Sequence, residues 1–87
     1  MLRTYIIILS AEHDRDKVID FLEKSNKIYQ WFYSLPYSIF IKSNLSAEDL
    51  SNLIESNFGQ KRIFITEINH SNYWGRMPEE HWNLFKS

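Results

Sequence analysis

Eighty-seven residues make one domain and leave no room for two, and a hydrophobic share of 44% with 16% aromatic residues excludes a disordered chain, which lacks the apolar surface to offset chain entropy. Ten Lys and Arg against eleven Asp and Glu give a net charge of −1, without the basic footprint of a free-standing nucleic-acid binder. The absence of cysteine excludes disulfides, thiolate metal sites and a cysteine nucleophile.

The longest apolar run, Tyr5 to Leu9, is far short of the ~20 residues that a membrane-spanning helix needs, and Arg3 alone does not make a signal peptide. A soluble cytoplasmic protein with no membrane partner is the expectation. A domain this small buries roughly 60–65% of the surface that its unfolded chain exposes, so covering more apolar area in a homodimer is a physically motivated expectation.

Thr4 to Leu9 is β-branched, aromatic or apolar throughout, the composition of a central strand buried on both faces. Between Asp14 and Lys24, Val18, Phe21 and Leu22 recur at helical spacing while most charges fall elsewhere, which predicts an amphipathic helix. Residues 28–33, "IYQWFY", and 37–42, "YSIFIK", are separated by "SLP"; they read as a hairpin, because Pro36 cannot continue a central ladder. Ser46 followed by Asp49 is a variant capping box, with Leu50, Leu53, Ile54 and Phe58 on one face and Gly59 as the stop. Residues 62–68, "RIFITEI", alternate as a fourth strand. The aromatic tail contains Pro78, suited to the first turn of a short helix, and Trp82 and Phe85 three positions apart.

The order is therefore β-α-β-β-α-β. It predicts an α+β, ferredoxin-like βαββαβ domain over residues 1–87, an antiparallel sheet with two helices on one face. Residues 1–69 form its core, and residues 70–87 form a C-terminal aromatic appendage that docks on the sheet or on a dimer partner. The fold hosts many functions, so function must be argued from sites.

Four residues just beyond the first strand, Glu12, His13, Asp14 and Asp16, are the candidate catalytic cluster. Oxygen-rich groups at a strand end can hold magnesium or manganese for phosphodiester hydrolysis, although their spacing matches no metal motif. The competing reading places Asp14 and Asp16 in the first helical turn, where negative charge is favoured by the positive end of the helix dipole, with Glu12 and His13 as solvated loop residues. His70 and His81 are not paired by spacing, and "PEEHW" lacks two imidazoles on one helical face, so both are expected at a surface or an interface. The only glycines, Gly59 and Gly75, close elements and form no phosphate loop. No metal or cofactor is required.

In simple alternation Ile28, Gln30 and Phe32 share one strand face and Tyr29, Trp31 and Tyr33 the other. One of these must cover the helices. The other is an aromatic surface that stacks single-stranded bases or packs on a second subunit, and the charge balance favours packing. Tyr29, Trp31, Tyr33, Tyr73, Trp74, Trp82 and Phe85 are the expected interface residues.

The stretches "TYIIILS", "WFYSLPYSIFIKSNLSAEDLSNLI" and "KRIFITEI" with the Trp-containing tail resemble the superfamily of the small CRISPR-associated adaptation subunit. The likeness is greatest to its stand-alone SinR-like members, a label distinct from the helix-turn-helix regulator of that name. The resemblance implies a ferredoxin-like homodimer formed through the sheet, often with the C-terminal segment exchanged or docked across the interface. Where that family cleaves nucleic acid, an aspartate ends the first strand and holds a divalent metal at the dimer junction; the matching position here is Ser10. A hydroxyl does not replace a charged carboxylate ligand for magnesium. The chain also resembles, more distantly, the GhoS-type antitoxins, which cleave the messenger RNA of their toxins.

Three readings follow. The first is a homodimeric binding or regulatory protein of the SinR-like group, without nuclease activity, in a phage-defence or toxin–antitoxin setting. The second is a metal-dependent endoribonuclease acting on RNA and using magnesium or manganese. The third is a protein inhibitor or interaction module that engages a protein partner through its exposed aromatic face.

Overall fold

Tyr5, Ile7 and Leu9 share one face of the first strand, β1 (Arg3–Leu9), and all three are buried. They pack with Ile39 and Ile41 of β3 (Ser38–Ser43) against Val18, Ile19 and Leu22 of α1 (Arg15–Lys24) and Leu50 and Ile54 of α2 (Ala47–Phe58). Burying each of these large side chains contributes about 1.5–3 kcal/mol, so this layer between sheet and helices is the main core. Ile63 and Ile65 of β4 (Ile63–Glu67) and Ile28 and Trp31 of β2 (Ile28–Phe32) close its margins.

The computed structural model describes residues 2–33, 35–69 and 71–85, the side chains of residues 83–85 excepted. Its four strands form one antiparallel sheet in the order β2-β3-β1-β4, and with the two helices they make a ferredoxin-like α+β fold. β1 is central, as its composition predicts. Its register pairs Ile7 with both Ile39 and Ile65 on the helix side, and pairs Ile6 with Phe40 and Ile8 with Phe64 on the opposite, open side.

Local chemistry sets the helix ends. The Asp14 carboxylate accepts the backbone N–H of Asp16 at 3.1 Å and of Lys17 at 3.4 Å, and Ser46 Oγ accepts that of Asp49 at 3.1 Å; each satisfies donors that have no intrahelical partner. Gly59 ends α2 at φ 87°, a left-handed conformation that a side chain would strain.

The hairpin differs from the sequence reading in its strand bounds and in facing. Pro36 and Tyr37 lie in the turn, and the second strand runs from Ser38 to Ser43. Ser43 is held there because its hydroxyl donates to Lys27 O at 2.7 Å and accepts from Leu45 N at 3.1 Å. A bulge lies between Ile28 and Gln30, so simple alternation fails. The additional residue, Tyr29, turns Ile28 onto the helix side with Trp31, while Gln30 and Phe32 pair with Lys42 and Phe40 of the open face.

That open face is only partly covered. Phe40 is buried beneath Ile6, Phe32, Ile68, Met77 and Trp82, so the segment beyond β4, which ends in a 3₁₀ helix at Glu79–Phe85, docks on the sheet through Met77 and Trp82. Phe32 stacks on Phe40 at 4.9 Å and on His81 at 4.6 Å. Beyond this cover, Ile8 remains 42% exposed and Phe64 62% exposed. The expectation that β1 is buried on both faces therefore fails at Ile8. No helix among the described residues is long and apolar enough to cross a membrane.

Candidate functional site

The end of β1, the start of α1 and the turn of the β2–β3 hairpin meet at one corner of the sheet. Leu9 N donates to Tyr37 O at 2.8 Å, and Arg15 Nη1 donates to Pro36 O at 3.0 Å while its guanidinium lies 4.6 Å from the centre of the Tyr33 ring. Cation–π contact and hydrogen bond together fasten the hairpin turn to the helix start. A recess of about 330 Å³ opens here, lined by His13, Asp14, Arg15, Asp16, Pro36 and Tyr37.

Within this corner every carboxylate of the candidate cluster already has work. Glu12 Oε1 accepts the Ser10 hydroxyl at 3.0 Å, Arg62 Nε at 3.1 Å and Arg62 N at 3.4 Å. These bonds, those to the Arg62 guanidinium foremost, hold the Glu12 carboxyl below its ordinary range. Asp14 caps α1, and Asp16, in the first helical turn, is paired with Arg15 at 3.4 Å. A hard divalent cation needs several oxygens converging with open lone pairs. Among the described residues no group of three or more His, Asp or Glu is placed to hold a metal ion, so the structure separates the carboxylates that sequence proximity suggested would act together.

His13 departs from the solvated loop position expected for it. It is only 5% exposed, and neither ring nitrogen has a hydrogen-bond partner. Its backbone N–H donates to Ser10 O at 3.1 Å, so the tight turn after β1 tucks the ring inward. A general base must reach the proton it takes, and these nitrogens are enclosed in this conformation.

Ser10 itself sits at the strand end, where its N–H donates to Arg62 O at 3.2 Å. Its hydroxyl orients Glu12 toward Arg62, joining the exits of β1 and the entrance of β4. Arg62 was not legible as part of this corner, because only the β1–β4 pairing brings it there. Lys42 was also missed: it is 5% exposed on the open face, opposite Thr4. The alternation of "SIFIK" does place it on the face of Phe40, which is the signal that marks it.

The aromatic candidates fall in separate settings. Trp31 is half-buried in the margin of the core and stacks with Tyr33 at 6.4 Å, whereas Tyr29, at the bulge, is exposed. Tyr73 stacks with Trp82 at 5.8 Å, and Trp74 is 97% exposed. His70 and the Phe85 side chain lie outside the described residues. No protein-family model, curated protein or solved structure matches this chain.

Proposed function

We propose that the chain is a homodimeric binding or regulatory protein of the SinR-like, CRISPR-adaptation-subunit-like group, without nuclease activity, acting in the cytoplasm in a phage-defence or toxin–antitoxin setting. The observation that carries the dimer is the cross-strand pair Ile8–Phe64 on the open sheet face, exposed beside a face that the C-terminal segment otherwise covers. A two-fold axis through this patch would lay the pair of one protomer on that of its mate, an isologous contact of apolar surface. The small net charge opposes such self-association only weakly.

Support for the absence of nuclease activity comes from the committed carboxylates. Glu12 is engaged by Arg62 and Ser10, Asp14 by the helix start, and Ser10 stands where the resemblance implies an aspartate. The strongly exposed Trp74 and Tyr29 favour, as a second reading, recognition of a protein partner through aromatic side chains, which are enriched at interfaces.

Sedimentation equilibrium of the wild type and of Phe64→Asp tests the dimer. The expected result is a concentration-dependent dimer that the variant converts to a folded monomer. A wild type that stays monomeric across the micromolar range, or a Phe64→Asp variant that dimerises as tightly, would overturn it.

A further inference from the structure

The C-terminal segment forms a second recess, of about 550 Å³, whose lining includes Tyr73, Trp74, Trp82, Asn72 and Glu79. This volume lies in the range of small-ligand sites, and the walls have a particular chemistry. Tyr73 and Trp82 stack on one another, ring centres 5.8 Å and planes 25° apart, as a two-ring platform in the lining. Trp74 adds a third ring that the protein leaves 97% exposed. Among the described residues the only charged side chain of the lining is the Glu79 carboxylate, and no lysine or arginine lines the recess to neutralise it.

We infer that this recess binds an organic cation carrying a methylated ammonium group. Aromatic faces are electron-rich and attract a cation within about 6 Å of the ring centre, and quaternary ammonium is the cation they recognise best because its hydration is weak. Glu79 supplies the complementary charge and disfavours phosphate-bearing ligands, while Asn72 offers a donor and an acceptor for the polar remainder of the ligand. The site shares Trp82 with the cover of Phe40 but includes neither Ile8 nor Phe64, so its test is separate from that of dimerisation.

The same group occurs on free small molecules and on methylated lysine side chains, so the experiment has two cationic arms. The indole N–H signals of Trp74 and Trp82 in the full chain are followed by NMR during titration with choline, with N-acetyl-trimethyllysine amide, and with the neutral isostere 3,3-dimethylbutan-1-ol. At least one cation shifts both signals saturably and binds roughly ten-fold more tightly than the alcohol, and Glu79→Gln weakens that cation roughly three- to ten-fold. Tighter binding by choline assigns a free ligand; tighter binding by the amide assigns a modified side chain. Absence of saturable shifts with both cations, equal binding of the alcohol, or undiminished binding by Glu79→Gln would overturn the inference.

Discussion

Glu12 and Arg62, fifty positions apart, share a charge-assisted hydrogen bond of 3.1 Å that ties the end of β1 to the start of β4. Arg62 depresses the Glu12 carboxyl below its ordinary value of 4.5. A group held lower in the folded state than in the unfolded chain stabilises the fold above its unfolded-state value and loses that contribution as pH falls through the folded value. Carbon-detected NMR titration of the Glu12 side chain should therefore give a midpoint below that of the Arg62→Ala variant. The stability difference between wild type and variant should also shrink as pH falls through that midpoint.

His13 tests what an enclosed, unpartnered imidazole costs. Leaving buried donors and acceptors unmade is unfavourable, whereas an apolar group of similar size removes the penalty. His13→Leu should hold wild-type stability within about 1 kcal/mol or raise it, and His13→Ala, which leaves a cavity, should cost about 2 kcal/mol. Urea denaturation measures both.

The caps give a paired comparison. Asp14→Ala removes the acceptor of two helix N–H groups and should cost about 1 kcal/mol. Gly59→Ala meets nothing within 4 Å but must adopt φ 87° with ψ −178°, a region essentially reserved for glycine, so its cost of about 1–3 kcal/mol arises from backbone strain alone. Thermal unfolding of the two variants, referred to the wild type, reads each.

Nuclease chemistry is checked directly by incubating the protein with RNA and with DNA, with and without manganese. The expected outcome is no manganese-dependent cleavage that the Asp14→Ala, Asp16→Ala double variant abolishes. Cleavage by the wild type that the double variant loses would reinstate the metal-dependent endoribonuclease.

Element order, both ends of α2 and the central place of β1 were legible in the sequence because each depends on local chemistry: β-branched runs, Ser46 before a periodic segment, and Gly59 after it. The facing of β2 was not. Period-two reasoning assumes unbroken alternation, and the bulge at Tyr29 is a property of the pairing with β3 rather than of the strand alone. The geometry of the candidate cluster was hidden for a related reason. Glu12, His13, Asp14 and Asp16 are adjacent in sequence, but a strand end and a helix start project them in different directions, toward Arg62, the interior and the helix N-terminus. Among the described partners of the four, Arg62 alone comes from a distant segment, and it engages Glu12.

The bulge at Tyr29 has a further consequence, because β2 and β4 are the two edges of the sheet. A bulged edge twists away from regular pairing and is a poor template for another strand, whereas no bulge interrupts the register of β4 with β1 over Ile63–Glu67. The more regular of the two edges is thereby β4. Two chains joined along β4 would turn their bulged edges outward, so assembly by this route ends at a pair and does not propagate into a fibre.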